Sequence, residues 1–253
     1  MTVPDAPVTQ IEKPQPAFED CQFYHTVDLP NGTVHGQWDL RPNVDAYLGN
    51  VDFQDRSVLE IGPASGFLSF HMEKHGARVT ALEPSMEHLW DVVPLRNFST
   101  DKWRKEFATH ITGVRNSFWY LHHLHKSQVR LIETVPEKIP DAAGDFDIGI
   151  LAAVLLHTRS PFLILESVAQ RVRDTIVVTE LHDVTLGEQS VCRLLPHPDF
   201  ENFDTWWSFS PAFFVNALRL LGFPHTTVNV HYQKREFDGA LITLFTVVGR
   251  RHA

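Results

Sequence analysis

Cysteine is scarce in this chain: Cys21 and Cys192 stand alone among 253 residues. Two thiols so far apart build neither a disulfide framework nor a zinc site, and they read as reduced cysteines of a cytoplasmic protein. Positive charge is short as well, with 22 Lys+Arg against 31 Asp+Glu and a formal net charge of −9. Proteins that grip a nucleic-acid backbone carry a basic face, so the balance argues against such a partner. The run Lys102, Arg104, Lys105 reads as a solvated helix face. No secretory apolar region opens the sequence and no apolar run reaches transmembrane length, so a soluble protein with no membrane partner is expected. Ser-His-Asp order and the phosphate-cradling Gly-x-x-x-x-Gly-Lys are both absent. His122, His123 and His125 lack a carboxylate at ligand spacing and read as a partly exposed helix face rather than a metal site.

What is present is a repeated strand–helix rhythm. Residues 1–18 carry Pro4, Pro7, Pro14 and Pro16 without periodicity and read as a mobile tail. Residues 19–50 form an N-terminal arm, with Pro30-Asn31-Gly32 as the turn of a hairpin and a short helix over 44–48. Parallel strands are expected over 57–61, 78–82, 129–133, 147–152 and 175–180, with helices over 66–75, 116–126 and 161–173. Residues 86–110, with Trp90, Phe98, Trp103 and Phe107, show no clear period. Residues 182–209 read as a cap-like insertion rich in His, Pro, Phe and Trp. A helix from Ser210-Pro211 to Leu221, ended by Gly222, then leads to strands over 225–232 and 240–248. Repeated units of this size imply an α/β, Rossmann-like, doubly wound sheet over residues 51–253.

The chemistry concentrates at Val58-Leu59-Glu60-Ile61-Gly62-Pro63-Ala64-Ser65-Gly66-Phe67. An apolar run ends in an acid, two glycines follow and a helix begins, the place where an open α/β sheet holds a nucleotide-like cofactor. A dinucleotide fingerprint needs Gly-x-Gly-x-x-Gly, and Ala64 stands where its second glycine belongs, which disfavours a nicotinamide dehydrogenase. The form Glu-x-Gly-x-x-x-Gly resembles the first motif of class I S-adenosylmethionine (SAM)-dependent methyltransferases. That resemblance implies a mostly parallel seven-stranded sheet whose last strand is antiparallel, and SAM as cofactor with S-adenosylhomocysteine (SAH) as product. Glu60, Gly62, Pro63, Ala64, Ser65 and Gly66 would then surround the amino-acid part of SAM, and Glu83 with Pro84 would receive the ribose. Glu133 and Thr134 would border the adenine, and Leu151 the transferring methyl group.

Two further segments resemble one methyltransferase group, the relatives of the enzyme that modifies the tRNA wobble uridine. They are the 23–42 stretch, beginning Phe23-Tyr24-His25-Thr26 and ending Trp38-Asp39-Leu40-Arg41-Pro42, and Val154-Leu155-Leu156-His157-Thr158-Arg159-Ser160-Pro161. Glu60 replaces the group's usual Asp, and Leu156 its Tyr. The tRNA enzyme uses carboxylated SAM, which needs a cation beside the methyl-bearing carbon; no such cation is apparent in the sequence, so ordinary SAM is expected. The function implied is methyl transfer to oxygen of a small molecule or sugar, with tRNA wobble-base (carboxy)methylation as one alternative and a non-catalytic SAM-binding sensor or scaffold as another. His157 and His25 are the candidate bases. Tyr24, His25, Trp38, Arg41, Trp206 and Trp207 are the candidate acceptor-pocket residues. Gly62→Arg is expected to abolish SAM binding measured by calorimetry; unchanged affinity overturns the placement of the cofactor.

Overall fold

The apolar runs of the sequence become the middle strands of one large sheet in a computed structural model that describes residues 8–86, 91–93, 99–197 and 204–252. Residues 1–7 of the expected tail, Trp90 and Phe98 of the aromatic stretch and residues 198–203 of the expected insertion lie outside the described residues. In chain order, β1 (Thr9–Ile11), β2 (Val27–Leu29), β3 (Gly32–Val34), β4 (Trp38–Asp39) and α1 (Val44–Tyr47) form the arm. The alternating part follows as β5 (Ser57–Ile61), α2 (Phe67–Lys74), β6 (Arg78–Glu83), α3 (Thr100–His125), β7 (Arg130–Glu133), β8 (Phe146–Ala152), α4 (Pro161–Arg171) and β9 (Val172–Leu181). β10 (Cys192–Leu194), β11 (Trp207–Phe209), α5 (Pro211–Leu220), β12 (His225–Arg235) and β13 (Leu241–Arg250) complete the chain.

The large sheet has the order β1-β7-β6-β5-β8-β9-β13-β12-β4. β7, β6, β5, β8 and β9 run parallel, while β13 runs antiparallel to both β9 and β12. These seven strands are the ones expected. Two short edges are added: β1 pairs antiparallel with β7, and β4 pairs antiparallel with β12. Thr9–Ile11 is therefore an edge strand within the stretch read as a mobile tail. Its peptide groups complete the exposed hydrogen-bonding edge of β7, which a short polar segment can do without burying side chains.

Central strands are buried on both faces, as parallel strands require. Successive side chains alternate between two cores. Leu59, Ile61, Leu151, Ile176, Val178 and Phe245 pack with α4 and α5, through residues such as Leu165, Val168, Phe214 and Leu218. Val58, Ile148, Ile150, Val177 and Val248 pack with α1, α2 and α3, through Tyr47, Leu68, Met72 and Phe118. α3 begins well before the expected 116–126, because Ser99 caps it by accepting from Lys102 N–H. An apolar stripe, Trp103-Phe107-Ile111-Val114-Phe118-Leu121, continues through it at helical spacing.

A buried polar seam fixes α1 on the sheet. The Thr179 hydroxyl donates to the Tyr47 carbonyl at 2.7 Å, and that of Thr246 reaches the same oxygen at 3.1 Å. The His231 ring lies 3.0 Å from the Thr246 hydroxyl. Thr246→Val keeps the shape and removes the hydroxyl that joins these partners. It is expected to cost about 1–3 kcal/mol of stability in denaturant unfolding, and an unchanged midpoint overturns this account of the seam.

Candidate functional site

β5 is flanked by β6 on one side and β8 on the other, so its carboxyl end is the switch point where a crevice opens. The turn that leaves it passes through left-handed backbone at Gly62 (φ +70°), Ala64 (φ +50°) and Gly66 (φ +84°). The two glycines do different work. A Cβ at Gly62 would meet Val154 Cγ1 at 2.8 Å across the crevice. A Cβ at Gly66 would meet the Phe70 ring at 2.4 Å and that of Phe118 at 2.8 Å, so Gly66 lets α2 pack down on the core. Ala64 holds the same backbone region despite its Cβ, and Ala153 (φ +53°) does so at the opposite wall. Strain of this kind persists where the surrounding structure enforces it.

The crevice is a cavity of about 340 Å³. Glu60, Gly62, Pro63, Ala64, Glu83 and Pro84 line it as expected. Glu60 is buried, and Ser69 on α2 donates to its carboxylate. Burial raises its pKa to about 7, against the Ser69 hydrogen bond, and the charge of Glu83 adds to the rise. Glu83 is likewise raised to about 7 by burial, offset in part by Arg115 and the Ala64 N–H. Arg115, on α3, donates to the Pro84 carbonyl and lies 3.8 Å from Glu83 and 3.9 Å from Glu133. Arg115 was not singled out from the sequence; it falls just before the segment read as helical.

Several expected contacts lie behind the wall or elsewhere. Ser65 is buried, and its hydroxyl accepts from the His25 N–H at 3.3 Å. Leu151 points into the α4–α5 core, because strand alternation turns it away; Ala152 and Ala153 line the cavity instead. Thr134 is buried outside the lining, and Glu133 borders an adjoining cavity whose wall shares Glu83, Ser85 and Arg115 with the first.

The arm supplies Tyr24, His25 and Trp38 to the wall, and α1 adds Tyr47. Arg41 does not reach it: Asp39 accepts from Arg41 Nε at 2.8 Å and Asp28 also pairs with it, drawing the guanidinium to the outside of the hairpin. Trp206 and Trp207 are absent from the lining too. Their indole N–H groups donate to the carbonyls of Asp91 and Thr158, as half-buried indoles require, and Thr205 is the neighbour that faces the cavity. His157 does line it, on the turn after β8. Its Nδ1 lies 2.6 Å from the Asp204 carbonyl. A carbonyl only accepts, so Nδ1 carries the proton and the neutral ring keeps its lone pair on Nε2. Burial lowers the pKa of this ring, which keeps it neutral. His122 and His123 turn to the backbone carbonyls of Val129 and Lys13.

The turn bearing His157 rests on Glu180 at the end of β9. Glu180 Oε1 accepts from Leu155 N–H at 3.0 Å and Leu156 N–H at 3.3 Å. Burial raises its pKa to about 8, against those two hydrogen bonds.

A buried acid, Glu60, and a half-buried one, Glu83, thus stand beside the glycine turn in one crevice, where a Cβ at Gly62 would crowd Val154. The family model described as "Methyltransferase domain" matches residues 35–228. Among solved structures, the N-terminal domain of EvdMO1, in the presence of SAH and D-fucose, is similar at 20% identity, TM-score 0.54, covering 92% of each chain. The 1,6-didemethyltoxoflavin-N1-methyltransferase of Burkholderia thailandensis is similar at 16% identity and TM-score 0.50, over 83% of this chain and 77% of that one. Magnesium protoporphyrin IX methyltransferase from Synechocystis PCC 6803, with bound SAM, follows at 11% identity and TM-score 0.51, over the same shares of 83% and 77%. No curated protein matches the chain.

Glu180 gives a signed prediction. Its folded pKa of about 8 lies above the ordinary 4.5, so the stability it contributes is present below 4.5 and lost as pH rises through 8. Glu180→Gln mimics the protonated form. Measured by denaturant unfolding, its stability should nearly equal that of the parent at pH 4.5 and exceed it at pH 8.5 by a few kcal/mol. A gap that stays constant with pH overturns the assignment.

Proposed function

This chain belongs to the methyltransferase-domain family and is a SAM-dependent enzyme of it, and on that premise we propose that it methylates an oxygen of a small molecule or sugar. The observation that carries the proposal is His157 in the cavity wall, its Nδ1–H held by the Asp204 carbonyl at 2.6 Å. An oxygen acceptor needs such a base, since a neutral hydroxyl is a poor nucleophile. The bound cofactor supplies a methyl group activated by a positively charged sulfur. Glu60 holds the amino group and Glu83 the ribose hydroxyls, with Arg115 keeping Glu83 partly ionised. The walls from the arm and α3 align the acceptor and exclude water, which is most of what an in-line displacement asks of a protein. As the acceptor oxygen bonds to the methyl carbon, the carbon–sulfur bond breaks with its electron pair staying on sulfur. The hydroxyl proton passes to His157 Nε2.

Charge favours ordinary SAM and a small acceptor over a carboxylated donor and tRNA. Arg115 is the one Lys or Arg side chain among the described cavity residues, and it sits beside Glu83 rather than at the acceptor end. The solved relatives named above include proteins whose titles name D-fucose, a toxoflavin precursor and a porphyrin, which agrees with a small acceptor. The test is methyl-labelled SAM incubated with hydroxylated small molecules and sugars, and in parallel with bulk tRNA. Label is expected in the first set; transfer to tRNA alone overturns the proposal. With an accepted substrate in hand, His157→Ala should lower turnover about 10²–10⁴-fold while SAH affinity is kept. Unmoved turnover removes the base.

A further inference from the structure

The crevice has two unlike halves. Glu60 at the end of β5 and Glu83 at the end of β6, with Arg115 beside it, make the half read as the cofactor site charged. The other half lies over β8, β9 and β13, and its wall is largely apolar. Leu181 at the end of β9 and Leu244 on β13 are partners in the ladder, and both line the cavity. Strand parity turns them to the face of Val177 and Val248, where α1 and the arm pack. The Tyr47 carbonyl accepts from Thr179 of β9 and Thr246 of β13, which sets Tyr47 over those two strands. Trp38 comes from β4, which pairs with β12 next door, and Tyr24 and Leu40 complete this part of the lining. Leu244 is buried, whereas Leu181 stays 40% exposed. A large apolar side chain left open in a concave wall is one that a bound ligand covers.

Resting on the reading of the crevice as a SAM site that methylates oxygen, we propose that the acceptor is an aromatic compound with a hydroxyl on its ring, a phenol, rather than a sugar. Tyr24, Trp38, Leu40, Tyr47, Leu181 and Leu244 carry two phenol hydroxyls, one indole N–H and no charge. Around His157 the polar groups of the wall are engaged with the protein. The Thr158 hydroxyl donates to the Leu155 carbonyl at 3.1 Å, the Thr205 hydroxyl to the Asp204 carboxylate at 2.8 Å, and Asp91 accepts from Arg159 N–H at 2.6 Å. A sugar brings several hydroxyls, and each one buried here without a partner costs binding. An aromatic ring instead covers Leu181 and Leu244, meets the rings of Tyr24 and Trp38, and presents a single hydroxyl. The transfer chemistry agrees. Burial lowers the pKa of His157 and makes it a weak base. Phenols ionise near pH ~10, saturated alcohols and sugars well above that, so a weak base is matched to a phenol. The phenol oxygen bonds to the methyl carbon as the carbon–sulfur bond breaks onto sulfur, and the phenol proton passes to His157.

The test incubates the full chain and methyl-labelled SAM with three sets of acceptors: phenols of one to three rings, saturated cyclic alcohols of matched size, and hexoses with their methyl glycosides. Label is expected in the phenols, with the best of them about tenfold or more above either other set. A sugar or a saturated alcohol labelled as well as the best phenol overturns the proposal and leaves oxygen methylation standing. No label in any set, from protein that binds SAH in calorimetry, overturns both. Failure to bind SAH is a separate result that removes the cofactor site itself. Leu181→Asn then places the ring. It should raise KM for the best phenol about tenfold, well beyond its effect on kcat, with SAH affinity kept as the sign that the strand end is folded. An unmoved KM overturns the assignment of this wall to the acceptor.

Discussion

Everything in this molecule follows from one strand being paired on both sides by neighbours whose connections leave in opposite directions. β5 hydrogen-bonds to β6 and to β8 in parallel register. The chain can fill neither side of its carboxyl end, because the helices that follow go to opposite faces. A crevice is the unavoidable result. The turn from Ile61 to Phe67 occupies its rim, and its left-handed backbone keeps side chains out of the space. Depth, walls and floor of the cavity are then supplied by whatever lies at the ends of β6, β8 and β9.

Those ends carry acids. Glu60, Glu83 and Glu180 all sit at or near strand ends, each raised well above the ordinary carboxylate range by burial. A folded chain with ionised acids in its interior is destabilised by them unless something positive or hydrogen-bonding arrives. For Glu83 the chain itself provides Arg115, from a helix that crosses above the strand end. For Glu60 the side-chain partner among the described residues is the Ser69 hydroxyl, and in the proposed reading the ammonium of the cofactor is its counterion. Glu180 has a different duty, since its hydrogen bonds go to the backbone of the turn that carries His157. In the proposed reading, the same physical situation, a carboxyl desolvated at a strand end, serves donor binding in one place and alignment of a base in another.

The parts of this arrangement that sequence reveals are those written in local pattern. Ser57–Ile61 and the helix beginning after Gly66 are legible because apolar runs and glycine spacing encode them directly. The two edge strands are not, since Thr9–Ile11 and Trp38–Asp39 are too short for any period and form only because open sheet edges lie nearby. The early half of α3 left a signal, an apolar stripe from Trp103 to Val114, that the crowding of aromatics obscured. Arg41, Trp206 and Trp207 have the chemistry of pocket residues and were expected there. Each has a competing local partner that satisfies its donors first: Asp39 and Asp28 for the guanidinium, main-chain carbonyls for the indoles. Leu151 failed by a single residue of strand parity. Long-range neighbours such as Arg115 and Glu83 have no spacing to be read, because only the folded sheet brings them together.

The arm that roofs the cavity also reaches both borders of the sheet. β1 covers the outer side of β7 and β4 covers the outer side of β12, so one continuous N-terminal stretch blunts the two open edges that a sheet of this kind presents. Open edges are templates for pairing with other chains. The stretch that covers the two edges also supplies Tyr24, His25 and Trp38 to the cavity wall, so edge protection and closure of the cavity depend on one segment of the chain.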